Sequence, residues 1–255
     1  MKDLRARLRR FTLGLLPESS AVPARYWKRR LFRGLEPEMP WFLSATRPGS
    51  RIVDVGANVG MYCYAGLRAG HPVVAFEPLP GCARLLESFA AGHDTLAVHR
   101  AALGDRPETK TLFVPIRNGA QDTGWASFRP DALGDHHLVS VDVPVRGLDE
   151  YALHDIGGIK IDVEGWELPV IRGARATIAR ERPVLLVEID QRFVRGRLED
   201  VFTEIAALGY RGEYLDDGLR SRPLETYDVV RHQYGPDGDP PIGRHVNTFL
   251  FRPEP

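Results

Sequence analysis

The stretch RIVDVGANVG, residues 51–60, joins a short apolar run to an amphipathic stretch through a turn that contains two glycines. The run RIVDV predicts a buried strand, and the glycines predict a tight turn into a helix over residues 61–69. A second apolar run, VVAFEP at residues 73–78, follows that helix. Two strands joined by a helix are expected to pair in parallel, because parallel strands need a long crossover connection.

The same alternation continues to the end of the chain. Further helices are predicted at 80–91, 168–180 and 198–208, and further strands at 95–99, 159–163, 184–189, 210–215 and 246–251. Apolar strands that alternate with helices predict an α/β fold with a doubly wound, Rossmann-like sheet that is mostly parallel and covered on both faces.

The alternation stops between residues 106 and 148, where strands are predicted only at 111–114 and 139–145. We interpret this region as a β insertion between the third and fourth strands. It is expected to lie over the carboxyl edge of the sheet, where open α/β sheets bind ligands. The chain is therefore divided into a basic helical cap, residues 1–49, and a ligand-binding domain, residues 50–255.

Charge is unevenly distributed along the 255 residues, although 34 basic and 34 acidic residues balance overall. The first 50 residues carry eleven lysines and arginines against four acidic residues, a net charge of +7, so the rest of the chain carries −7. An acidic body argues against a nucleic-acid-binding protein.

Apolar residues recur at helical spacing within residues 1–16, with arginines between them. This pattern predicts an amphipathic helix that packs on the domain or on a second subunit, as in a homodimer, or contacts an anionic membrane or a glycolipid. The aromatic-rich segment 26–42 predicts two short helices that cover the mouth of the site.

The apolar runs are much shorter than the roughly 20 residues needed to cross a bilayer. Residues 1–16 also lack the apolar core and cleavage site of a secretory signal. The two cysteines, Cys63 and Cys82, are too few for a disulfide framework and lack metal-ligand spacing, so both are predicted to be buried thiols in a reducing compartment. The expected location is the cytoplasm, with peripheral membrane contact through residues 1–16 as the alternative.

The glycine turn and the acid that follows the second strand predict the ligand. The turn matches neither G-x-G-x-x-G nor a phosphate loop, so its ligand is expected to offer something other than a pyrophosphate, such as an amino-acid carboxylate. Glu77 ends the second strand, where a carboxylate can accept both hydroxyls of a ribose. An adenosine that carries an amino acid is S-adenosylmethionine, which we predict as the cofactor.

Four motifs resemble a known family: VDVGANVG at 53–60, AFEP at 75–78, KIDVEG at 160–165 with Glu167, and RPVLLVE at 182–188. Together with GLEPE at 34–38, they resemble the FkbM family of S-adenosylmethionine-dependent methyltransferases over roughly residues 34–251. The resemblance implies a seven-stranded class I methyltransferase sheet of order 3-2-1-4-5-7-6. Trp166 stands where a small residue is frequent, which puts the shape of the acceptor side in doubt.

The resemblance also implies O-methylation of a hydroxyl on polyketides or macrolides, or on the sugars of glycans and glycolipids. The product of the cofactor would be S-adenosylhomocysteine. The expected cofactor-binding residues lie before the first strand, in the glycine turn and at the ends of the second to fourth strands: Glu36, Asp54, Gly56, Ala57, Asn58, Gly60, Glu77, Pro78, Ala102, Leu103 and Asp162.

Catalysis requires a group that removes the acceptor's proton, because the sulfonium methyl of the cofactor is already electrophilic. Asp162, at the end of the fourth strand, is our first candidate for this base or for the group that orients the acceptor, and Glu188 is the second. In the alternative interpretation, Asp162 only caps a turn, while Glu164 and Asp190 are solvated.

Histidines are further candidate bases, since they titrate near neutral pH. His136 and His137 lie in the insertion, and His232 and His245 lie near the last strands. Asp149 is expected to cap a turn. No metal ligands are predicted, although neighbouring carboxylates leave Mg²⁺ open.

The sequence thus predicts an S-adenosylmethionine-dependent O-methyltransferase whose acceptor is a hydroxyl of a sugar, glycolipid or polyketide-type small molecule. A catalytically silent module that binds the cofactor and acts through its basic arm is the alternative. Such a module would bind the cofactor without producing S-adenosylhomocysteine. A nicotinamide oxidoreductase is a third hypothesis, and the incomplete dinucleotide fingerprint argues against it.

Overall fold

The computed structural model describes residues 18–32, 34–233, 241 and 243–255. The amphipathic helix predicted within residues 1–16 lies outside this part of the chain. The strands of the described part are Arg51–Val55 (β1), Val73–Phe76 (β2), Leu96–His99 (β3), Ala102–Leu103 (β4), Glu108–Arg117 (β5), Ala120–Gln121 (β6), Leu138–Arg146 (β7), Ile156–Ile161 (β8), Val184–Glu188 (β9), Tyr210–Leu215 (β10), Ser221–Pro223 (β11) and Thr248–Pro253 (β12).

The larger sheet has eight strands in the order β11-β10-β12-β9-β8-β1-β2-β3. The five strands from β9 to β3 in this order pair in parallel, and β12, β10 and β11 add antiparallel pairs at one edge. The predicted Rossmann-like α/β fold is confirmed. The expected number of seven strands is wrong, because the short β11 folds back as a hairpin on β10.

Helices cover both faces of this sheet. They are Ala21–Phe32 (α1), Glu38–Ala45 (α2), Met61–Arg68 (α3), Pro80–Ala90 (α4), Glu167–Gly173 (α5), Arg175–Glu181 (α6), Leu198–Ala206 (α7) and Val229–His232 (α8). Buried side chains of α1 to α4 form one apolar core with the sheet, and those of α5 to α7 form the core on the opposite face. Helices α1 and α2 therefore share a core with residues beyond 50, while the proposed boundary at residue 49 stays a prediction.

The predicted helix over residues 168–180 is wrong in one respect, because the chain bends at Ala174 and forms α5 and α6 instead. The side chain of Asp149 accepts hydrogen bonds from the backbone N–H groups of Ala176 and Thr177, at 3.0 and 2.7 Å. In an unbroken helix these groups would donate to carbonyls four residues earlier. The Asp149 carboxylate replaces those carbonyls as the acceptor at the start of α6. This is the capping role expected of Asp149.

The insertion forms a second sheet of order β4-β7-β5-β6, which packs its own small apolar core against the start of α4. A segment of the insertion, residues 123–127, crosses the carboxyl edge of the larger sheet, and we call it the bridging segment. At one end, Thr123 Oγ1 donates a 3.1 Å hydrogen bond to Asn58 Oδ1. At the other end, Ser127 Oγ donates a 2.6 Å bond to the carbonyl of Glu164.

The first glycine of the turn after β1 is required by close packing. Gly56 has a φ of +73°, and a Cβ atom there would lie 1.9 Å from the carbonyl oxygen of Asp162. Only glycine therefore allows the turn to lie directly against the end of β8. This contact brings the β1 turn and Asp162 to the same place at the edge of the sheet.

Both cysteines are buried free thiols, as predicted. Among the described residues, no helix has the length and apolar character needed to span a bilayer.

Candidate active site

One cavity at the carboxyl edge of the larger sheet brings together residues from the β1 turn, the ends of β2 and β8, β4 and the bridging segment. Of the predicted cofactor-binding residues, those that line it are Gly56, Asn58, Glu77, Pro78, Ala102, Leu103 and Asp162. The other side of the cavity is formed by the insertion and by Trp166, with Leu112, Thr123, Gly124, Ala126 and Phe128. The cavity thus has one polar wall and one largely apolar wall.

Glu77 is held at the end of β2 by two backbone groups. Its Oε2 accepts a 2.7 Å hydrogen bond from the N–H of Asn58, and its Oε1 accepts a 2.8 Å bond from the N–H of Leu79. Burial raises the pKa of Glu77 to about 7, although both backbone N–H groups favour the ionised form. Each oxygen keeps a lone pair that can accept another hydrogen bond.

Lys160 joins two of the acidic side chains behind the polar wall. It is a buried lysine in β8, and its Nζ lies 3.1 Å from Asp162 Oδ2 and 3.6 Å from Asp54 Oδ1. The same Nζ donates a 3.1 Å hydrogen bond to the carbonyl of Gly56. Burial alone would lower the pKa of Lys160, but the carboxylates of Asp162 and Asp54 outweigh it, so the pKa lies above its usual value and the ammonium group stays charged.

Asp54 is fully buried, and its Oδ2 accepts a 3.1 Å hydrogen bond from the thiol of Cys63. Its Oδ1 has no hydrogen-bond partner among the described residues. Burial raises the pKa of Asp54. Asp162 differs, because 31% of its side chain is exposed and the residue lines the cavity. The alternative in which Asp162 caps a turn is not supported, since its carboxylate instead pairs with Lys160.

Glu164 follows Asp162 by two residues and lines the same cavity. Its φ is +46°, in the left-handed region that non-glycine residues rarely adopt. The carbonyl of Glu164 accepts the bond from Ser127, so the bridging segment helps to hold this conformation. Burial, followed by the charges of Asp162 and Glu188, raises the pKa of the Glu164 carboxyl group. The structure therefore does not support a solvated Glu164.

Two acidic residues at the end of β9 pair with the segment that leads into β12. Glu188 Oε1 accepts a 2.8 Å hydrogen bond from Asn247 Nδ2, and Asp190 Oδ2 lies 3.1 Å from His245 Nε2. Burial and the charge of Asp162 raise the pKa of Glu188. Burial would also raise the pKa of Asp190, but hydrogen bonds from His245 and Arg192 lower it below its usual value. The alternative in which Asp190 is solvated is wrong, because only 5% of the residue is exposed.

The remaining predicted site residues lie elsewhere. Ala57 is buried in the core, and Gly60 packs against Leu86 and Val22 at the start of α3. Glu36 forms an ion pair with Arg29 and accepts a 3.1 Å hydrogen bond from the hydroxyl of Tyr62.

The two histidines of the insertion are exposed, and neither lines the cavity. The ring of His136 instead lies edge-on to Trp125, with 6.3 Å between the ring centroids. The structure thus does not bring His136 or His137 into the cavity, and a catalytic role for either stays a prediction.

Sequence reasoning missed Lys160, Thr123 and Asn247. Lys160 stands in an otherwise apolar strand, two residues before Asp162, so the period-two spacing of a strand could have placed it on the same face. For Thr123 and Asn247 the sequence carries no comparable signal, since their contacts depend on how the insertion and β12 meet the sheet.

The residues present fit S-adenosylmethionine. The cofactor carries positive charge on its sulfonium and ammonium groups, and the cavity presents the carboxyl groups of Glu77, Asp162 and Glu164. Glu77 has free lone pairs for ribose hydroxyls, and Ala102 and Leu103 offer small apolar contacts for an adenine ring. Among the described residues, no group of three or more histidine, cysteine or acidic side chains could hold a metal ion.

A family model described as "Methyltransferase FkbM domain" matches residues 54–211. The protein 2-O-methyltransferase NoeI of Sinorhizobium fredii (strain NBRC 101917 / NGR234) is 26% identical over 211 residues, which span 77% of this chain and 81% of the relative.

Solved structures also match. Methyltransferase FkbM from Methylobacillus flagellatus KT matches with a TM-score of 0.51 and 17% identity. The match covers 94% of this chain and 57% of that chain, so this protein spans little more than half the length of that methyltransferase. A TehB-like SAM-dependent methyltransferase from Corynebacterium glutamicum ATCC 13032 Kitasato has a TM-score of 0.43 and 12% identity, over 93% of this chain and 97% of that chain.

Proposed function

Because this chain belongs to the methyltransferase FkbM domain family, we propose that it transfers the methyl group of S-adenosylmethionine to a hydroxyl group of a sugar, a glycolipid or a polyketide-type small molecule. Methyl transfer itself follows from the family. The cofactor, the hydroxyl acceptor and the class of acceptor are our proposal.

The observation that supports the proposal best is the shared cavity of Glu77 and Asp162. Glu77 presents a carboxyl group that is suited to ribose hydroxyls, and Asp162 presents a partly exposed carboxylate at the end of β8. Ala102 and Leu103 line the same cavity, where they would contact an adenine ring. Such a set suits an adenosine at one end and a reacting group at the other.

Each residue then has a distinct task. The bound cofactor supplies an electrophilic methyl group. Asp162 accepts the proton of the acceptor hydroxyl or orients that hydroxyl, and Lys160 keeps Asp162 in place through a 3.1 Å ion pair. Glu188, held by Asn247, helps to position the acceptor at the neighbouring strand end. The bridging segment limits the access of water to the cavity.

The name of the relative favours a hydroxyl acceptor. 2-O-methyltransferase NoeI, by its name, methylates an oxygen at a 2-position, and its match covers most of both chains. At 26% identity this similarity does not extend to one particular acceptor, so we keep sugars, glycolipids and polyketide alcohols together as the proposed class.

Calorimetric titration of the purified chain with S-adenosylmethionine, S-adenosylhomocysteine and NAD tests the cofactor. We expect binding of the first two in the micromolar range, no binding of NAD, and loss of binding in Glu77→Ala. As a matched control, Glu225→Ala removes a glutamate that does not line the cavity and should leave binding unchanged. Binding of NAD alone would instead support an oxidoreductase.

A panel of sugars, glycolipids and polyketide alcohols then tests transfer, with S-adenosylhomocysteine release as the readout. Release that depends on one acceptor supports an O-methyltransferase. Cofactor binding with no release for any acceptor, with or without added Mg²⁺, would support the catalytically silent module.

A further inference from the structure

The C-terminal half of α1 exposes large apolar side chains. Trp27 is 37% exposed, Leu31 71% and Phe32 80%, and they lie within six consecutive residues. The only other large apolar side chains that are exposed in the described part of the chain are Leu219 and Val230. Single exposed apolar residues are common, but three together on one short helix mark an interaction surface.

The N-terminal half of the same helix is anchored in the protein. Val22 and Tyr26 are buried in the core beneath α1, and the ring of Tyr26 packs edge-on against Tyr64 of α3 with 4.9 Å between centroids. The apolar end of α1 is therefore presented on a fixed support.

Basic side chains surround the exposed apolar ones. Helix α1 contains Arg25, Lys28, Arg29 and Arg30 and no acidic residue. Of these, only Arg29 forms an ion pair with a described residue, namely Glu36. Arg68 of α3 adds a further positive charge, because its guanidinium lies 4.9 Å from the centre of the Trp27 ring. This surface is apolar at its centre and positively charged around it.

From this arrangement we infer that the surface formed by Trp27, Lys28, Arg30, Leu31 and Phe32, which we call the α1 surface, docks on an anionic lipid bilayer. Exposed apolar side chains enter the boundary between head groups and acyl chains, and lysine and arginine contact the anionic head groups. A second copy of the chain would bring like charges together at the same surface, so the charge pattern favours lipid.

A second cavity, of about 930 Å³, opens beside the α1 surface and is lined by Lys28, Phe32 and Glu36 among others. Glu36 accepts the hydrogen bond of Tyr62, and the ring of Tyr62 lies 5.3 Å from Lys160 Nζ. Contacts therefore run from the cavity beside α1 through Glu36 and Tyr62 to Lys160, the partner of Asp162.

Sedimentation of the full chain with vesicles tests the inference without cofactor or acceptor, so its failure is distinct from a failure of the proposed methyl transfer. We expect binding to vesicles that contain about 30% phosphatidylglycerol in phosphatidylcholine, weak binding to pure phosphatidylcholine, and a decrease in binding at high salt. Leu31→Ser combined with Phe32→Ser should weaken binding at least tenfold.

Each pair of changes in the α1 surface, apolar or charged, has a matched control pair elsewhere in the chain. Leu219→Ser with Val230→Ser removes apolar side chains of 54% and 53% exposure elsewhere and should leave binding unchanged. Lys28→Glu with Arg30→Glu should weaken binding at least tenfold. By contrast, Arg106→Glu with Arg197→Glu makes the same change of net charge at side chains outside the α1 surface, exposed by 73% and 76%, and should change binding less than threefold.

Three results would overturn the inference. Binding that survives both sets of α1 changes would place the contact elsewhere, including in residues 1–17. Equal binding to neutral and anionic vesicles would remove the charge argument. Light scattering could also show a dimer that dissociates only when Leu31 and Phe32 are changed. The α1 surface would then be a contact between two copies of the chain.

Discussion

Lys160 is the residue on which the charge balance of the site depends. It is buried, and it faces Asp54 and Asp162 on the side of β8 that meets the glycine turn. Removing one partner of a buried ion pair leaves the other charge without compensation, which commonly costs about 3–5 kcal/mol. Lys160 is therefore expected to be needed for the stability of the fold as well as for the position of Asp162.

Asp162→Asn tests the proposed reaction centre. The amide keeps an oxygen that can accept a hydrogen bond from Lys160, but it cannot take up a proton from an acceptor. We expect kcat to fall by about 10²–10⁴, the usual contribution of a general base, while cofactor affinity changes less than tenfold. Steady-state rates and calorimetry measure the two effects. Asp94→Asn, at an exposed position, is the control, and a kcat within threefold of wild type in Asp162→Asn would exclude the role.

The raised pKa of Glu77 makes the free energy of unfolding depend on pH. Its pKa in the folded protein is about 7, above its value of about 4.3 in an unfolded chain. The folded state thus holds the proton more tightly, so this residue favours folding most below pH 4.3, and the benefit is lost as the pH rises through 7. The difference corresponds to about 4 kcal/mol.

Glu77→Gln cannot ionise and should lack this dependence. Measured by urea unfolding at pH 5 and pH 8, the free energy of unfolding of the variant should rise by about 2–3 kcal/mol relative to wild type between the two pH values. A constant difference between the two proteins would show that the carboxyl group is not buried as described.

At the scale of elements, the contact between the β1 turn and the end of β8 decides the shape of the site. A side chain at Gly56 would collide with the carbonyl of Asp162 at 1.9 Å, so neither element could keep its position. Gly56→Ala is expected to destabilise the fold by more than about 3 kcal/mol, because overpacking adds to the cost of a positive φ.

Gly70→Ala is the matched control for this change. Gly70 also has a positive φ, +86°, but a Cβ atom there would meet nothing within 4 Å. It should cost only about 1–2 kcal/mol, the price of the backbone conformation. Chemical unfolding of both variants measures the difference, and equal losses would mean that the contact with Asp162 can relax.

The elements that sequence reasoning predicts well are those whose signal is local. The strands at 51–55 and 210–215 have the predicted bounds, because Gly56 ends the apolar run of the first and Gly209 separates the second from the preceding helix. The break between α5 and α6 escapes prediction, since it depends on Asp149, a residue distant in the sequence. For the same reason, Glu77 and Asp162 could be placed at the edge of the sheet from the pattern, but Thr123 could not.

For the whole molecule, the cofactor should act as a stabilising ligand. At a concentration of S-adenosylhomocysteine 100 times its Kd, binding adds about 2.7 kcal/mol to the free energy of unfolding. For a chain of this size, that corresponds to an increase in Tm of about 5–10 °C. Thermal unfolding measures it, with Glu77→Ala and NAD as controls that should give no increase. An unchanged Tm at saturating ligand would contradict the cofactor assignment.

The bridging segment is fixed at both ends, by Asn58 on one side and by the carbonyl of Glu164 on the other, and it forms part of the wall of the cavity. A spent cofactor that leaves past this segment has to open at least one of these bonds, and we expect that step to be slow. Turnover would then be limited by renewal of the cofactor, and rapid mixing would show a first methylation faster than every later one.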